Sequence, residues 1–404
     1  MKAPPRPDHA LRLFLVAGEH SGDALGARLM AAVRAAAPRP VRFEGVGGPQ
    51  MAAAGLASLF PISDVAVMGP IAILGALPRL MRRVNEAAAA GIGMRPDVVV
   101  IIDSPEFTHP IARRIRKRLP GVPVINYVSP SVWAWRPGRA PRMRHYVDHV
   151  MALLPFEPEA HARLGGPTCT YVGHPLVEQM AALMAVDPAP LRADLGLDPA
   201  RRTLVVLPGS RRSEVERLMQ PFGEAVAQVA NRIGPLDVVI PAVDSVRSLI
   251  DEQLAGWSVR AFVVAGEERK LQAFKAADVA LAASGTVTLE LALAGTPMVI
   301  GYRVDALAAR FQFLVKTPHF ALANLVLGER AFPELMQDDC TPSKLADALV
   351  ALLTEPATLA AQRHALARVP ARMRLTEGTP SEAAAAIVLH HARDGLRARG
   401  PRVG

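Results

Sequence analysis

Cysteine is nearly missing from this chain of 404 residues. Cys169 and Cys340 alone occur, too few for a disulfide framework or a cysteine-rich zinc site, and they suit a reducing compartment. Lysine is almost as scarce, limited to Lys2, Lys117, Lys270, Lys275, Lys316 and Lys344. The net charge of +9, from 46 basic and 37 acidic side chains, is therefore carried by arginine. That bias fits genome composition as well as it fits an anionic partner such as a nucleotide, an acidic lipid surface or nucleic acid. No window reaches the ~18–20 apolar residues that span a bilayer. The apolar stretch near the N-terminus runs straight into a glycine- and charge-bearing turn, as a buried strand does and a signal peptide does not. The eleven histidines show neither HExxH nor another ligand spacing, and GxSxG is absent. The sequence predicts a protein, soluble or peripheral, that needs neither metal nor cofactor.

What is present is enough apolar material for a packed core: 50% of residues are hydrophobic and 21% charged, which excludes a disordered chain. The length suggests two domains. Leu11–Ala17, Val41–Val46, Asp97–Ile102, Val122–Val128, His149–Leu153 and Thr170–Val172 read as strands, with helices over Ala24–Ala36, Pro110–Arg118 and Glu157–Leu164. A second series follows: Thr203–Leu207, Leu236–Ile240, Val259–Val264, Val279–Ala282 and Met298–Gly301. Strands spaced by helices argue for parallel sheets of right-handed βαβ units. Asp187–Pro199, rich in Pro and Asp, reads as a hinge. The expected architecture is α/β: two doubly wound, Rossmann-like domains facing a central cleft, with ligands at the carboxyl ends of the strands.

The first strand ends in Ala17-Gly18-Glu19-His20-Ser21-Gly22-Asp23. Gly18, Gly22 and Gly26 are spaced by four, so this is neither GxGxxG nor a Walker loop. Small residues there let backbone approach a ligand at a helix N-terminus, whose free N–H groups favour anions. The same segment also reads as a plain helix cap by Ser21 or Asp23. Val98–Ile102 runs into Asp103-Ser104-Pro105-Glu106-Phe107, placing a carboxylate where α/β enzymes hold catalytic groups. Partial burial would raise its pKa toward that of a general base; a cap on the helix near Phe107 is the other reading. Tyr127–Arg144 combines Trp133 and Trp135 with Arg136, Arg139, Arg142 and Arg144, among prolines that exclude one continuous helix. Indole with guanidinium suits a sugar or phosphate surface, and a surface loop with a packed Trp is the alternative. His174 ends a strand, as a ligand contact or as a satisfied structural histidine.

In the second half Leu207-Pro208-Gly209-Ser210-Arg211 closes a strand and precedes the helix Ser213–Asn231, aiming amides and a guanidinium at a phosphate. Ala282-Ala283-Ser284-Gly285-Thr286 ends another strand and opens a helix carrying Glu290, whose carboxylate could accept both hydroxyls of a ribose. Together they point to a nucleoside diphosphate. No DxD appears in this half, so helix dipoles and Arg211 would take a metal's part. Val67–Arg83 sets Met68, Ile71, Ile73, Leu74, Leu77, Leu80 and Met81 against Arg79, Arg82 and Arg83. It reads as a core helix or as one seated on a membrane surface.

AGEHSGD, GVGGPQM, VMG, DSPEF, YVSPSVWAWR, LLPFE, VGHPL, LPGSR, SGTVTLE and NLVLGER stand here in the order seen in lipid-A-disaccharide synthases, and the likeness runs over nearly the whole chain. The resemblance to that family implies an inverting glycosyltransferase of GT-B fold. Such an enzyme joins UDP-2,3-diacylglucosamine to 2,3-diacylglucosamine 1-phosphate, peripherally on the cytoplasmic face of the inner membrane. It implies an acceptor-binding domain over 1–186 and a UDP-sugar-binding domain over 200–370. A helical segment over 371–404 would pack back on the first domain or on a partner subunit, in a homodimer. On matching positions Asp103 is the candidate base. Gly18, Ser21, Gly22, Trp133, Trp135, Arg136 and His174 are candidate acceptor contacts. Gly209, Ser210, Arg211, Ser284, Gly285, Thr286, Glu290, Asn324 and Gln337 are those for UDP. Two places depart from the family pattern: His20 replaces a small residue, and Pro70-Ile71-Ala72 replaces an apolar-Val-Glu run. Another UDP-sugar enzyme of the same fold, such as a UDP-N-acetylglucosamine 2-epimerase or a peptidoglycan-type transferase, is the competing reading. The paired diphosphate loops argue against a nucleic-acid binder.

Overall fold

A computed structural model describes residues 10–65, 70–304 and 317–399. The chain forms two compact units, one of Met1–Pro175 with Leu375–Gly404, the other of Leu176–Arg374. In the first, strands β1 (Leu11–Ala17), β2 (Val41–Val46), β3 (Ala57–Ser58), β4 (Val98–Ile102), β5 (Val124–Tyr127), β6 (His149–Ala152) and β7 (Thr168–Tyr171) form one sheet. Its order is β3-β2-β1-β4-β5-β6-β7, and every pair is parallel. β4 reads Val-Val-Val-Ile-Ile and is buried at all five positions, as a strand with helices on both faces must be. Each such side chain contributes about 1.5–3 kcal/mol of burial.

The second unit repeats the plan with β8 (Arg202–Leu207), β9 (Leu236–Pro241), β10 (Ala261–Val264), β11 (Val279–Ala282), β12 (Met298–Tyr302) and β13 (Glu334–Met336). The order is β10-β9-β8-β11-β12-β13, again parallel throughout. In each sheet the strand order reverses once, between β1 and β4 and between β8 and β11. The connections on either side of such a point run in opposite directions, leaving a crevice at the carboxyl ends.

Several boundaries differ from the sequence expectation. The first helix begins at His20 and the helix that follows β4 at Pro105, carrying Pro110 inside it. Asp187–Pro199 is not an open linker: it holds a short helix, Ala189–Leu195, with Pro190 in its first turn and Gly196 left-handed at its end. Proline and glycine punctuate a helix there rather than mark a hinge. The chain leaves the first unit beside Gly173, at φ +85, where a Cβ would lie 2.8 Å from Pro380 Cγ and 2.9 Å from Leu375 Cδ1. Departing and returning strands of chain thus touch at a residue without a side chain. The returning helix, Pro380–Arg399, packs on His20–Ala36 and β4, adding Ala384, Ala385, Val388, Leu389 and Ala392 to the core.

Asp23, 1% exposed, does not cap its own helix. Its carboxylate accepts the N–H groups of Gly48 (2.8 Å), Gln50 (3.0 Å) and Met51 (2.9 Å), capping the neighbouring helix Pro49–Ala53. Asp23→Ala leaves three inward amides unmatched and is expected to lower unfolding stability by about 2–4 kcal/mol, read from urea denaturation; a loss within 0.5 kcal/mol would show the carboxylate to be dispensable.

Candidate active site

At the reversal in the first sheet, the loops after β1 and β4 meet. Gly18 is buried so closely that a Cβ would stand 2.6 Å from Ser104 Cβ. Ser104 Oγ donates to Glu19 Oε1 at 3.0 Å. Asp103 sits between them, half-buried, its N–H bonded to Tyr127 O at 3.0 Å and its Oδ1 accepting the Ser104 N–H at 2.8 Å. Asp103 and Ser104 both have left-handed backbone, φ +52 and +42, a strain of order 1–3 kcal/mol each that collects at functional sites. Burial raises the Asp103 pKa above the ordinary carboxylate value; the Ser104 N–H opposes this, the Glu19 charge adds to it, and a hydrogen bond from Ser21 opposes it. Gly22 lies below, where a Cβ would come within 3.4 Å of Ile102 O. His20 is exposed.

The tryptophan loop follows β5, the next strand along. Its start is strained too, with Val128 at φ +74, an outlier for a β-branched residue. Asn126 Nδ2 holds the Val128 carbonyl at 2.7 Å. Asn126 Oδ1 lies 2.9 Å from His109 Nε2, and His109 Nδ1 lies 2.9 Å from the Tyr146 hydroxyl. Burial pushes that imidazole down to about 4. Trp133 turns inward, donating from Nε1 to Glu157 at 3.2 Å and packing edge-on against Phe156. Glu157 also accepts the N–H groups of Leu153 and Leu154 at 3.1 and 3.0 Å. Trp135 turns outward, 38% exposed, with the Arg136 guanidinium over its ring at 5.2 Å. Arg136 and Arg139 both pair with Glu106. The two indoles, equivalent in sequence, therefore differ: one anchors the loop and one is presented. His174 is half-buried, and burial pushes it down to about 4, so it is neutral at pH 7.

In the second unit the loops after β8 and β11 meet the reversal in the same way. Gly209, at φ +117, would place a Cβ 2.4 Å from Glu214 Oε2; no other residue fits. Glu214 was not singled out from the sequence. It accepts the amides of Ser210 (3.2 Å) and Arg211 (3.3 Å), the Arg211 guanidinium (3.0 Å) and the Tyr302 hydroxyl (3.2 Å). The amides expected to face a phosphate thus already hold a carboxylate, in a capping box. The arginine side chain is 58% exposed against 8% for the glutamate, so Arg211 is the member that can turn. Ser284 Oγ donates to Phe320 O at 3.1 Å, Thr288 Oγ1 to Gly285 O at 2.9 Å, and Thr286 is exposed. Glu290 pairs with Lys270 at 3.0 Å. Burial pulls Lys270 down, yet Glu290 and Glu267 outweigh it and hold the ammonium above its ordinary value.

Asn324 and Gln337 are occupied within the fold. Asn324, fully buried, gives its amide to Phe332 O and Glu334 Oε1 and accepts the Phe332 N–H. Glu334 in turn holds the amides of Phe320 and Ala321, so this network props the segment under Ser284. Gln337, at φ +52, accepts the Val304 N–H at 2.8 Å. Of Val67–Arg83, residues 67–69, Met68 among them, lie outside the described residues, as do the side chains of Ile71, Ile73 and Leu74. Leu77 and Met81, 49% and 44% exposed, stand beside exposed Arg79 and Arg82 on a helix that buries Val84, Ala87 and Ala88. Arg83 pairs with Asp64 and Glu86. No helix among the described residues is long and apolar enough to cross a membrane.

The model of the family described as Lipid-A-disaccharide synthetase matches residues 13–388. The chain is 50% identical over 379 residues to the Lipid-A-disaccharide synthase of Nitrobacter hamburgensis, covering 94% of this chain and 95% of that one. It is 46% identical over 391 residues to that of Bradyrhizobium diazoefficiens, covering 96% and 99%. Among solved structures it resembles the UDP-GlcNAc 2-epimerase of Neisseria meningitidis bound to UDP-GlcNAc, with a TM-score of 0.62 at 10% identity, over 94% of this chain and 99% of that one. That likeness shows the shared two-domain α/β GT-B fold.

Glu157 gives a pH signature. Burial raises its pKa from 4.5 to about 7, against four hydrogen bonds that lower it. Between those values the folded state holds a proton that the unfolded state has lost, so stability falls as pH rises through that window. Melting temperatures measured across it should decline in the wild type and flatten in Glu157→Gln; equal slopes would show that another group titrates.

Proposed function

The chain belongs to the lipid-A-disaccharide synthetase family, and from that premise we propose which residues carry each part of its reaction. It is an inverting glycosyltransferase that joins UDP-2,3-diacylglucosamine to 2,3-diacylglucosamine 1-phosphate, yielding a β-1,6-linked disaccharide and UDP. The 10% identity to an epimerase speaks to fold alone; identity near one half over 94% of this chain speaks for the transferase chemistry.

Asp103 takes the proton from the acceptor 6-hydroxyl as that oxygen attacks the donor's anomeric carbon. The bond from that carbon to the diphosphate breaks with its electron pair leaving on UDP, and attack from the opposite side inverts the centre. The single observation supporting this role is the setting of Asp103: strained, half-buried at the strand reversal, its pKa raised by desolvation beside Glu19. A base closer to neutrality accepts a proton more effectively at working pH. Gly18, Ser21 and Gly22 shape the floor beneath the acceptor, and Trp135 with Arg136 offers a face for its sugar or 1-phosphate. Trp133 anchors that loop through Glu157.

Arg211 swings from Glu214 onto the diphosphate of UDP, while Glu214 keeps the loop amides in place. Gly209, Ser210, Ser284, Gly285 and Thr286 bring backbone and hydroxyls close to the phosphates, at two helix N-termini whose dipoles favour the charge that develops on departure. Glu290, oriented by Lys270, accepts the ribose hydroxyls. Asn324 and Gln337 act through the segments they brace. The exposed Leu77 and Met81 beside Arg79 and Arg82 support a peripheral seat on an anionic membrane surface, at the cytoplasmic face of the inner membrane, where acylated sugars reside.

Asp103→Asn keeps shape and removes the base: turnover is expected to fall about 10²–10⁴-fold with UDP affinity within about twofold, by product mass spectrometry and calorimetry. Near-normal turnover would move the base elsewhere, with His20 the first residue to examine. Arg211→Ala removes a charge-assisted contact and should weaken UDP binding about 10–100-fold; unchanged binding contradicts its assignment.

A further inference from the structure

The helix Pro105–Arg118 begins at Asp103-Ser104 and runs back along the sheet. Lys117 is therefore about 18 Å from Pro105 along its axis, at 1.5 Å per residue, toward the amino ends of the strands. There the helix, together with Arg142 and the segment after Arg139–Met143, borders an open surface hollow of about 410 Å³ lined by Arg113, Arg116, Lys117, Arg142, His145 and Tyr146. No part of the proposed reaction uses it.

An arginine-rich chain has basic surface by composition, so the pairing of these cations is what matters. Elsewhere some exposed arginines find carboxylates, as Arg212 does with Glu216, Arg232 with Asp347 and Arg247 with Asp251, and others, such as Arg79, Arg82, Arg260 and Arg363, stand singly without an ion pair among the described residues; here several cations line one hollow. Beside this cavity one carboxylate, Asp148, pairs with Arg116 and accepts the Val124 N–H. Lys117, Arg142 and His145 are exposed and make no side-chain hydrogen bond or ion pair among the described residues. Arg116 Nε is buried with no hydrogen-bond partner among them. Buried Tyr146 forms the floor, with its hydroxyl 3.2 Å from Arg113 Nη2 and the Arg113 guanidinium over its ring at 4.7 Å. Four cationic side chains, Arg113, Arg116, Lys117 and Arg142, around one hollow where a single carboxylate offsets only Arg116, suit the oxygens of a phosphate group.

We propose that this cavity is a phosphate-binding site, separate from the catalytic crevice, that takes a phosphate monoester group. The same chemistry is presented by inorganic phosphate and by the headgroup of an anionic lipid. The neighbouring helix Pro70–Met94, which packs on Pro105–Arg118, exposes Leu77 and Met81.

The test is Lys117→Glu combined with Arg142→Glu, both at exposed positions, in the full chain. Binding of inorganic phosphate is followed by calorimetry, and binding of vesicles of phosphatidylcholine with and without phosphatidic acid by flotation. Arg260→Glu with Arg363→Glu, exposed on the other unit, controls for net charge. The expected result is about a tenfold or greater loss for the cavity variant, little change for the control, and UDP affinity unaltered in both. Loss on phosphatidic acid vesicles alone assigns the site to a lipid headgroup, and loss with inorganic phosphate assigns it to a soluble one. Binding of neither probe by the wild type, or equal losses in the two variants, overturns the proposal.

Discussion

A parallel sheet whose strand order reverses beside its first strand cannot close its carboxyl edge with its own connections. Both sheets of this protein carry that reversal, and the residues proposed for chemistry hang from it. Wholly apolar strands such as β4 are costly to reposition, because shifting one unseats side chains that are fully buried. The loops at their ends inherit that rigidity. Asp103 is thus held by its strand: its N–H bonds the end of β5, and the packed sheet can sustain backbone strain that a free loop would release.

Buried carboxylates do much of the remaining fastening. Asp23, Glu157, Glu214 and Glu334 are each nearly enclosed, and each accepts two or more backbone N–H groups from a loop or helix start. Such bonds satisfy amides that would otherwise be buried without a partner, and they fix loops that have little apolar surface of their own. Against that pattern Asp103 stands out. It holds only the adjacent Ser104 amide and a hydroxyl, so its carboxylate braces no other segment and stays open to a partner at the strand reversal.

The sheets were legible in the sequence because long strands buried on both faces must be apolar runs bounded by turns. β3 and β13 were not, being two and three residues long with no such run. The helix start at His20 left no mark, since Glu19 caps it without a side-chain bond. Of the candidate site, the groups at strand ends were readable because position and chemistry coincide there. Glu19, Glu157, Glu214 and Lys270 were not: an inward carboxylate that grips amides looks the same in sequence as one in water. For the same reason the sequence could not distinguish Trp133 from Trp135.

The first unit is discontinuous in sequence, interrupted by the second between Pro175 and Leu375, and closed by the helix that lays Ala384, Ala385, Val388, Leu389 and Ala392 on its core. A ribosome makes the chain from one end. The amino-terminal sheet must wait, with the flank of its first helix bare, while some two hundred intervening residues emerge and fold. Its last apolar layer arrives only after the whole second unit has been translated, so a stalled or clipped nascent chain exposes hydrophobic surface in the half of the enzyme that carries Asp103.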